Sequence, residues 1–209
     1  MWIRIVGFLG LVVASPVLGL PAFAQATQGA VPAVTAADVR FMQEMIGHHQ
    51  QAVEMTALVS ARTRRPPLRL LAERIGVSQA DEMALMRQWL RAHGGSGDAT
   101  SSHDMSDHDG HDTSGTAGRQ LMPLMPGMLS RAEMAALRAA RGARFDRLFL
   151  EGMIRHHGGA LTMVEQLLNA PGAAQESSIN RFVSDVDADQ RAEIARMRRM
   201  LNARQDSLR

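Results

Sequence analysis

The feature that most constrains this chain is a segment that occurs twice. Residues 38–59 read DVRFMQEMIGHHQQAVEMTALV and residues 146–167 read DRLFLEGMIRHHGGALTMVEQL. At a fixed offset of 108, eight of the 22 positions are identical: Asp38/Asp146, Phe41/Phe149, Met45/Met153, Ile46/Ile154, His48/His156, His49/His157, Ala52/Ala160 and Met55/Met163. Unrelated segments of this length share about one or two, so the natural reading is an internal duplication. A second match follows each copy at offset 111, where Gln79, Glu82 and Met86 align with Gln190, Glu193 and Met197. A duplicated unit with two matched segments joined by a turn is a helix pair. Two such pairs predict an all-α chain: a four-helix bundle of two duplicated antiparallel helix pairs.

Local signals agree with that plan. Thr35 with Asp38 and Ser130 with Glu133 are capping-box pairs, and in the first segment apolar and His residues recur at 41, 45, 48, 52, 55 and 59. Pro66-Pro67 suits the first turn of a second helix that runs to about Trp89 or His93 and is stopped by Gly94-Gly95. In the second half a short helix is expected before Gly142, and Pro171-Gly172 makes the turn between the long helices. The expected organisation is therefore a signal peptide at 1–24, a tail at 25–34, the first helix pair at 35–93, a connection at 94–128, and a short helix plus the second pair at 129–209. The two pairs form one domain.

The signal peptide is read from Arg4, the apolar run Ile5–Leu20 and the small-x-small pattern Ala22-Phe23-Ala24. Pro16 and Pro21 oppose a continuous span, and no later run is long enough for one, so no membrane span is expected after cleavage. No cysteine follows the run to carry a lipid. The expected location is the periplasm or the outside of a bacterial cell.

Composition narrows the chemistry. With no Cys, disulfides, thiolate ligands and cysteine nucleophiles are excluded, and 15 Met remain as the source of soft donors. The formal charge is only +2, and a basic face with interleaved aromatics is missing, so no nucleic-acid partner is expected. Successive helical residues point about 100° apart, so the rings of a His-His doublet cannot serve one direction. His48 falls on the apolar stripe and His49 at its edge, while Met45 lies three and four residues before them on the shared face. Imidazole and thioether together suit copper, with sulfur favouring Cu(I) and Cu(II) also admissible; magnesium, calcium and manganese prefer oxygen.

Counting about 1.5 Å per residue from the turns puts Glu82 level with His48 and Glu193 level with His156, roughly 20 Å from each turn. Two His pairs and two Glu would then share one height, with Met45, Met86, Met153 and Met197 nearby. In the connection, residues 94–118 are expected to be disordered. Their His103, His108 and His111, among Asp residues, are candidates for a secondary metal site. So are Met122, Met125 and Met128, spaced by three; their prolines forbid one continuous helix, so those ligands would come from turns. Every feature also has a plainer use: methionines fill a core short of aromatics, and a polar linker is a solvated tether.

The repeated pattern D-x-x-F-x-x-x-M-I-x-H-H-x-x-A-x-x-M followed by Q-x-x-E-x-x-x-M resembles the family known as domain of unknown function 305. The match is closest over MPGM at 125–128 and FDRLFLEGMIRHHGGA at 145–160, and it covers about 36–92 and 119–202. The resemblance implies a ferritin-like four-helix bundle exported in bacteria, in a family some of whose members bind copper through Met and His. Carried onto matching positions, it implies Met45, His48, His49, Met55, Met153, His156, His157 and Met163 as ligands. The copies differ at Gln50-Gln51 against Gly158-Gly159, which implies that one site is weaker.

Three functions stand open at this point. The first is copper sequestration or delivery, with metal ions and other periplasmic copper proteins as partners and no catalytic residues. The second is a ferritin-like dimetal oxidase. Such sites draw a Glu from each of two helices and Glu-x-x-His from the others, whereas only Glu82 and Glu193 recur here. The third is a metal-free helical interaction module. Oligomeric state is not legible.

Overall fold

The structure, a computed structural model, describes residues 33–94 and 124–206. Among them are six helical elements and no strand: α1 (Ala36–Ala57), a single turn α2 (Val59–Arg62), α3 (Pro66–Ala92), α4 (Arg131–Ala139), α5 (Gly142–Leu168) and α6 (Ser177–Asp206). The all-helical reading holds. The signal peptide, the tail to residue 32 and the His-rich segment with His103, His108, His111 and Met122 lie outside the described residues.

The predicted start and stop signals act as expected. Both capping boxes form, on Thr35 with Asp38 and on Ser130 with Glu133. Pro66 and Pro67 open α3, where their missing N–H groups cost nothing. Gly94 and Gly172 follow the helix ends at φ 73° and 72°, conformations that a side chain would disfavour.

Asp38 does more than cap. Its carboxylate is fully buried; one oxygen accepts from Thr35 N and Thr35 Oγ1 at 2.7 and 2.8 Å, and the other accepts from Ala174 N at 2.7 Å. Ala174 sits at φ 54° in the turn between α5 and α6. The start of the first helix pair is therefore tied to the turn of the second by a charge-assisted bond.

Packing follows the duplication. α3 packs on α1, α6 packs on α5, and α1 meets α5 at the centre. The buried residues form two clusters. One gathers Phe41, Met42, Met45, Ile46, Met83, Met86, Trp89 and Leu90 with Met163, Val164, Leu167 and Val183. The other gathers Phe145, Phe149, Leu150, Met153, Ile194 and Met197 with Ala52, Met55, Val59 and Leu68. The first joins the start of α1 to the ends of α3 and α5; the second is its counterpart at the opposite end. α1 and α5 thus run antiparallel, and both His doublets, near mid-helix, fall where the two ends meet.

Candidate metal centre

Four imidazoles occupy that meeting point, and all are at most 1% exposed. α3 covers the edge of the stripe where His49 lies, and the ring is as buried as His48. The 100° offset within each doublet explains the arrangement. One ring of each doublet faces the other half, so that His48 and His156 lie 3.9 Å apart between centroids, with planes 38° apart. The other ring turns to the second helix of its own half. His49 Nε2 meets Glu82 Oε2 at 2.5 Å and His157 Nε2 meets Glu193 Oε2 at 2.6 Å. The height count for the two glutamates was right, but the partner is the second histidine of each doublet, not His48 or His156.

The two central rings donate to backbone. His48 Nε2–H reaches Pro126 O at 2.9 Å, and His156 Nε2–H reaches His48 O at 3.0 Å. A carbonyl oxygen only accepts, so each of these rings carries its proton on Nε2. Burial pushes the His48 pKa down from 6.5 to about 3, outweighing the Pro126 contact that favours the charged form, with the neighbouring His49 and His157 adding to the depression. Burial likewise holds His156 well below the ordinary range, followed by the charges of His48, His157 and His49. Both rings are neutral at pH 7. The Nδ1 atoms of His48, His49, His156 and His157 are all buried without a hydrogen-bond partner. A buried polar atom left unpaired costs about 1–3 kcal/mol, so four on neighbouring rings call for a purpose. On the neutral rings of His48 and His156 such a bare nitrogen is a metal donor.

The methionines divide by the same symmetry. Met45, Met86 and Met163 share one end cluster, and their duplicates Met153, Met197 and Met55 share the other. Each set draws on both halves of the chain. The six predicted methionines thus divide between the two apolar clusters on either side of the histidines. The His pairs and Glu do not converge on one point: among the described residues no three His, Asp or Glu come together as a ligand set. The donor types on either side of this layer, imidazole nitrogen and thioether sulfur, are those that fit copper.

Two features were not anticipated. Residues 125–129 form a strap across α1 and α5. It is closed by a Met128 N–H to Met125 O bond of 3.2 Å, with Met125 half-buried against the first cluster and Met128 buried. These two predicted methionines therefore reach the bundle through a turn. The second feature is a cleft of about 330 Å³ between α3 and α6, lined by Ser78, Asp81, Glu82, Asp185 and Asp189 among others. Ser78 Oγ donates to Glu82 Oε1 at 3.0 Å. Asp189 has a raised pKa, from partial burial first and then from Glu82, Glu193 and Asp185. Glu82, which holds the buried His49, thus borders this solvent-facing cleft, and Glu193 acts electrostatically on its Asp189. The matched Gln79 and Gln190 are also buried, each with its amide oxygen unpartnered.

Comparison with known proteins places these features in a family. The model of the domain of unknown function DUF305 matches residues 38–201. The crystal structure of a DUF305 fragment from Deinococcus radiodurans is similar at 31% identity and TM-score 0.63, over 82% of this chain and 99% of that one. A DUF305 protein from Streptomyces coelicolor is similar at 28% identity and TM-score 0.64, over 81% and 92%. CopM in its Cu(II)-bound form is similar at 26% identity and TM-score 0.55, over 79% and 96%. Its Cu(I)-bound form, at 23% identity and TM-score 0.58, shares the fold. No curated protein matches the chain. With a family model spanning the duplicated helix pairs and the His doublets of both, the chain belongs to the DUF305 family.

Proposed function

We propose that this protein binds copper in the bacterial cell envelope, for sequestration or delivery, through the Nδ1 atoms of its paired histidines and the thioethers flanking them. The observation that carries this reading is the set of four buried imidazoles whose Nε2 atoms are engaged and whose Nδ1 atoms are not. Histidine ligands elsewhere are oriented in this way, by a carbonyl or carboxylate on the nitrogen that does not touch the metal. Pro126 O, His48 O, Glu82 and Glu193 have that role here, and the three-methionine sets supply soft donors on either side. Thioether sulfur favours Cu(I). The likeness to CopM, whose Cu(II)-bound form has the same fold at 26% identity, supports copper as the metal. Export rests on the apolar N-terminal segment and its Ala22-Phe23-Ala24 pattern. Among the described residues, no helix is long and apolar enough to cross a membrane. Other copper proteins of the envelope are the partners that delivery requires.

Chelator competition tests the metal. The purified protein is expected to take Cu(I) from a Cu(I) chelator of known affinity and to hold Zn(II) far more weakly. Equal or tighter Zn(II) binding contradicts the reading.

A further inference from the structure

The two copies of the doublet motif differ at one telling place: α1 continues with Gln50-Gln51 and α5 with Gly158-Gly159. The strap explains the second residue of each pair, Gln51 and Gly159. On the α1 side the Gln51 amide grips it with two bonds, its Nε2–H donating to Leu129 O at 2.9 Å and its Oε1 accepting from Leu129 N at 2.7 Å. On the α5 side the strap leaves no room for a side chain at Gly159, whereas Gly158 faces open space. A methyl group at Gly159 would lie 1.8 Å from Pro126 O and 2.8 Å from Gly127 Cα, and one at Gly127 would lie 2.3 Å from Arg155 O. Gly127 also takes φ 74°, which only glycine adopts readily. The strap is thus clamped from one helix and seated in a gap on the other, and its Pro126 carbonyl is aimed at His48 Nε2.

His156 has no such dependence. Its acceptor is the carbonyl of His48, part of the α1 backbone. The duplicated central histidines are therefore held by different means, one by the bundle and one by a separate segment 78 residues away in sequence.

Resting on the copper reading above, we propose that Gln51 is a positioning residue for His48. By fixing the strap it keeps the proton of the ring on Nε2 and leaves Nδ1 bare as the metal-facing donor. The difference between the copies then marks two donors held in different ways, one of them responsive to whatever moves the strap.

The test uses the full-length mature protein, with imidazole 15N spectra at pH 7 and Cu(I) affinity by chelator competition. Gln51→Ala releases the strap from α1. Gly159→Ala displaces it from α5 while exchanging a poor helix former for the best one, so α5 itself is not weakened. In wild type, His48 and His156 are both expected as the Nε2–H form. In each variant the His48 signals are expected to move toward a mixture of the two neutral forms while His156 stays, and Cu(I) affinity is expected to fall about tenfold or more, as for other residues that orient a ligand from behind. Circular dichroism confirms that the helices remain.

A His48 ring that keeps its Nε2–H in both variants overturns the proposal. So does a His156 signal that moves equally, which marks general loosening of the bundle. The ring spectra are read without metal. If His48 alone responds but the wild type takes up no Cu(I), the positioning role stands and the copper reading falls. If Cu(I) binds but His48 is unmoved, the reverse holds.

Discussion

Mild acid should destabilise this protein before its carboxylates begin to protonate. His48 and His156 are buried and neutral, with the His48 pKa held near 3 and that of His156 well below 6.5. In the unfolded chain both rings take a proton at about pH 6.5. Between that value and the folded pKa the unfolded state binds more protons than the folded state, so stability falls as pH falls. The contribution is fully present above pH 6.5 and is lost progressively toward pH 3. One fully suppressed group gives a slope of about 1.4 kcal/mol per pH unit, and two give about 3 kcal/mol. Between pH 6 and 5, free carboxylates, with pKa values of about 4, contribute little. A loss of about 2–3 kcal/mol over that single unit is therefore assigned to the two rings. Urea denaturation of the metal-free protein at pH 7.5, 6, 5.5 and 5 measures it by linear extrapolation, and a His48→Gln, His156→Gln double variant serves as control. The variant should show a much flatter profile. A wild-type stability unchanged from pH 6 to 5, or equal slopes in both proteins, refutes the reasoning.

Further outcomes follow from other contacts. Asp38→Ala removes a buried carboxylate that accepts from Thr35 and from Ala174 N, and should lower stability by on the order of 3 kcal/mol in urea denaturation; a loss below about 1 kcal/mol contradicts the role of the tie between the two helix pairs. Replacing Met45, Met86 and Met163 together with Leu nearly conserves volume and should cost less than about 1.5 kcal/mol per site, while Cu(I) affinity by chelator competition falls; unchanged affinity returns these three to a packing role. Deleting residues 96–117, outside the described residues, removes five Asp and almost no apolar content. It should preserve helicity by circular dichroism, and a large helical loss shows that the segment belongs to the fold.

Much of this architecture was legible because duplication is visible without coordinates. The 108-residue offset gave the two pairs, the capping residues gave helix starts, and the rise per residue gave the height of Glu82 and Glu193. Height alone does not give direction. Neighbouring residues differ by about 100° around the axis but only about 1.5 Å along it, so counting could not choose between His48 and His49 as the partner of Glu82. The division of the methionines into two end clusters depends on α1 and α5 being antiparallel, a relation between halves that neither half records. Gln51 and Gly159 stood out as a departure from the repeat and read as a weaker site. Their meaning lay in a strap that only the tertiary structure brings to them. The α3–α6 cleft was missed for the same reason, since Asp81 and Asp189 meet across a hundred residues of chain.

The central claim is that the paired histidines bind copper, and the most direct test is the stabilisation that copper confers on the folded state. The mature wild type and a variant with His48, His49, His156 and His157 all changed to Gln are melted with and without Cu(I) held by a chelator buffer at about 100 times the dissociation constant. Binding to the folded state alone contributes about 3 kcal/mol under those conditions, which for a chain of this size raises Tm by about 5–10 °C. The four rings are fully buried, so the variant is expected to melt lower than wild type without metal, and its Tm should not respond to Cu(I). A folded variant that keeps the wild-type copper shift contradicts the account.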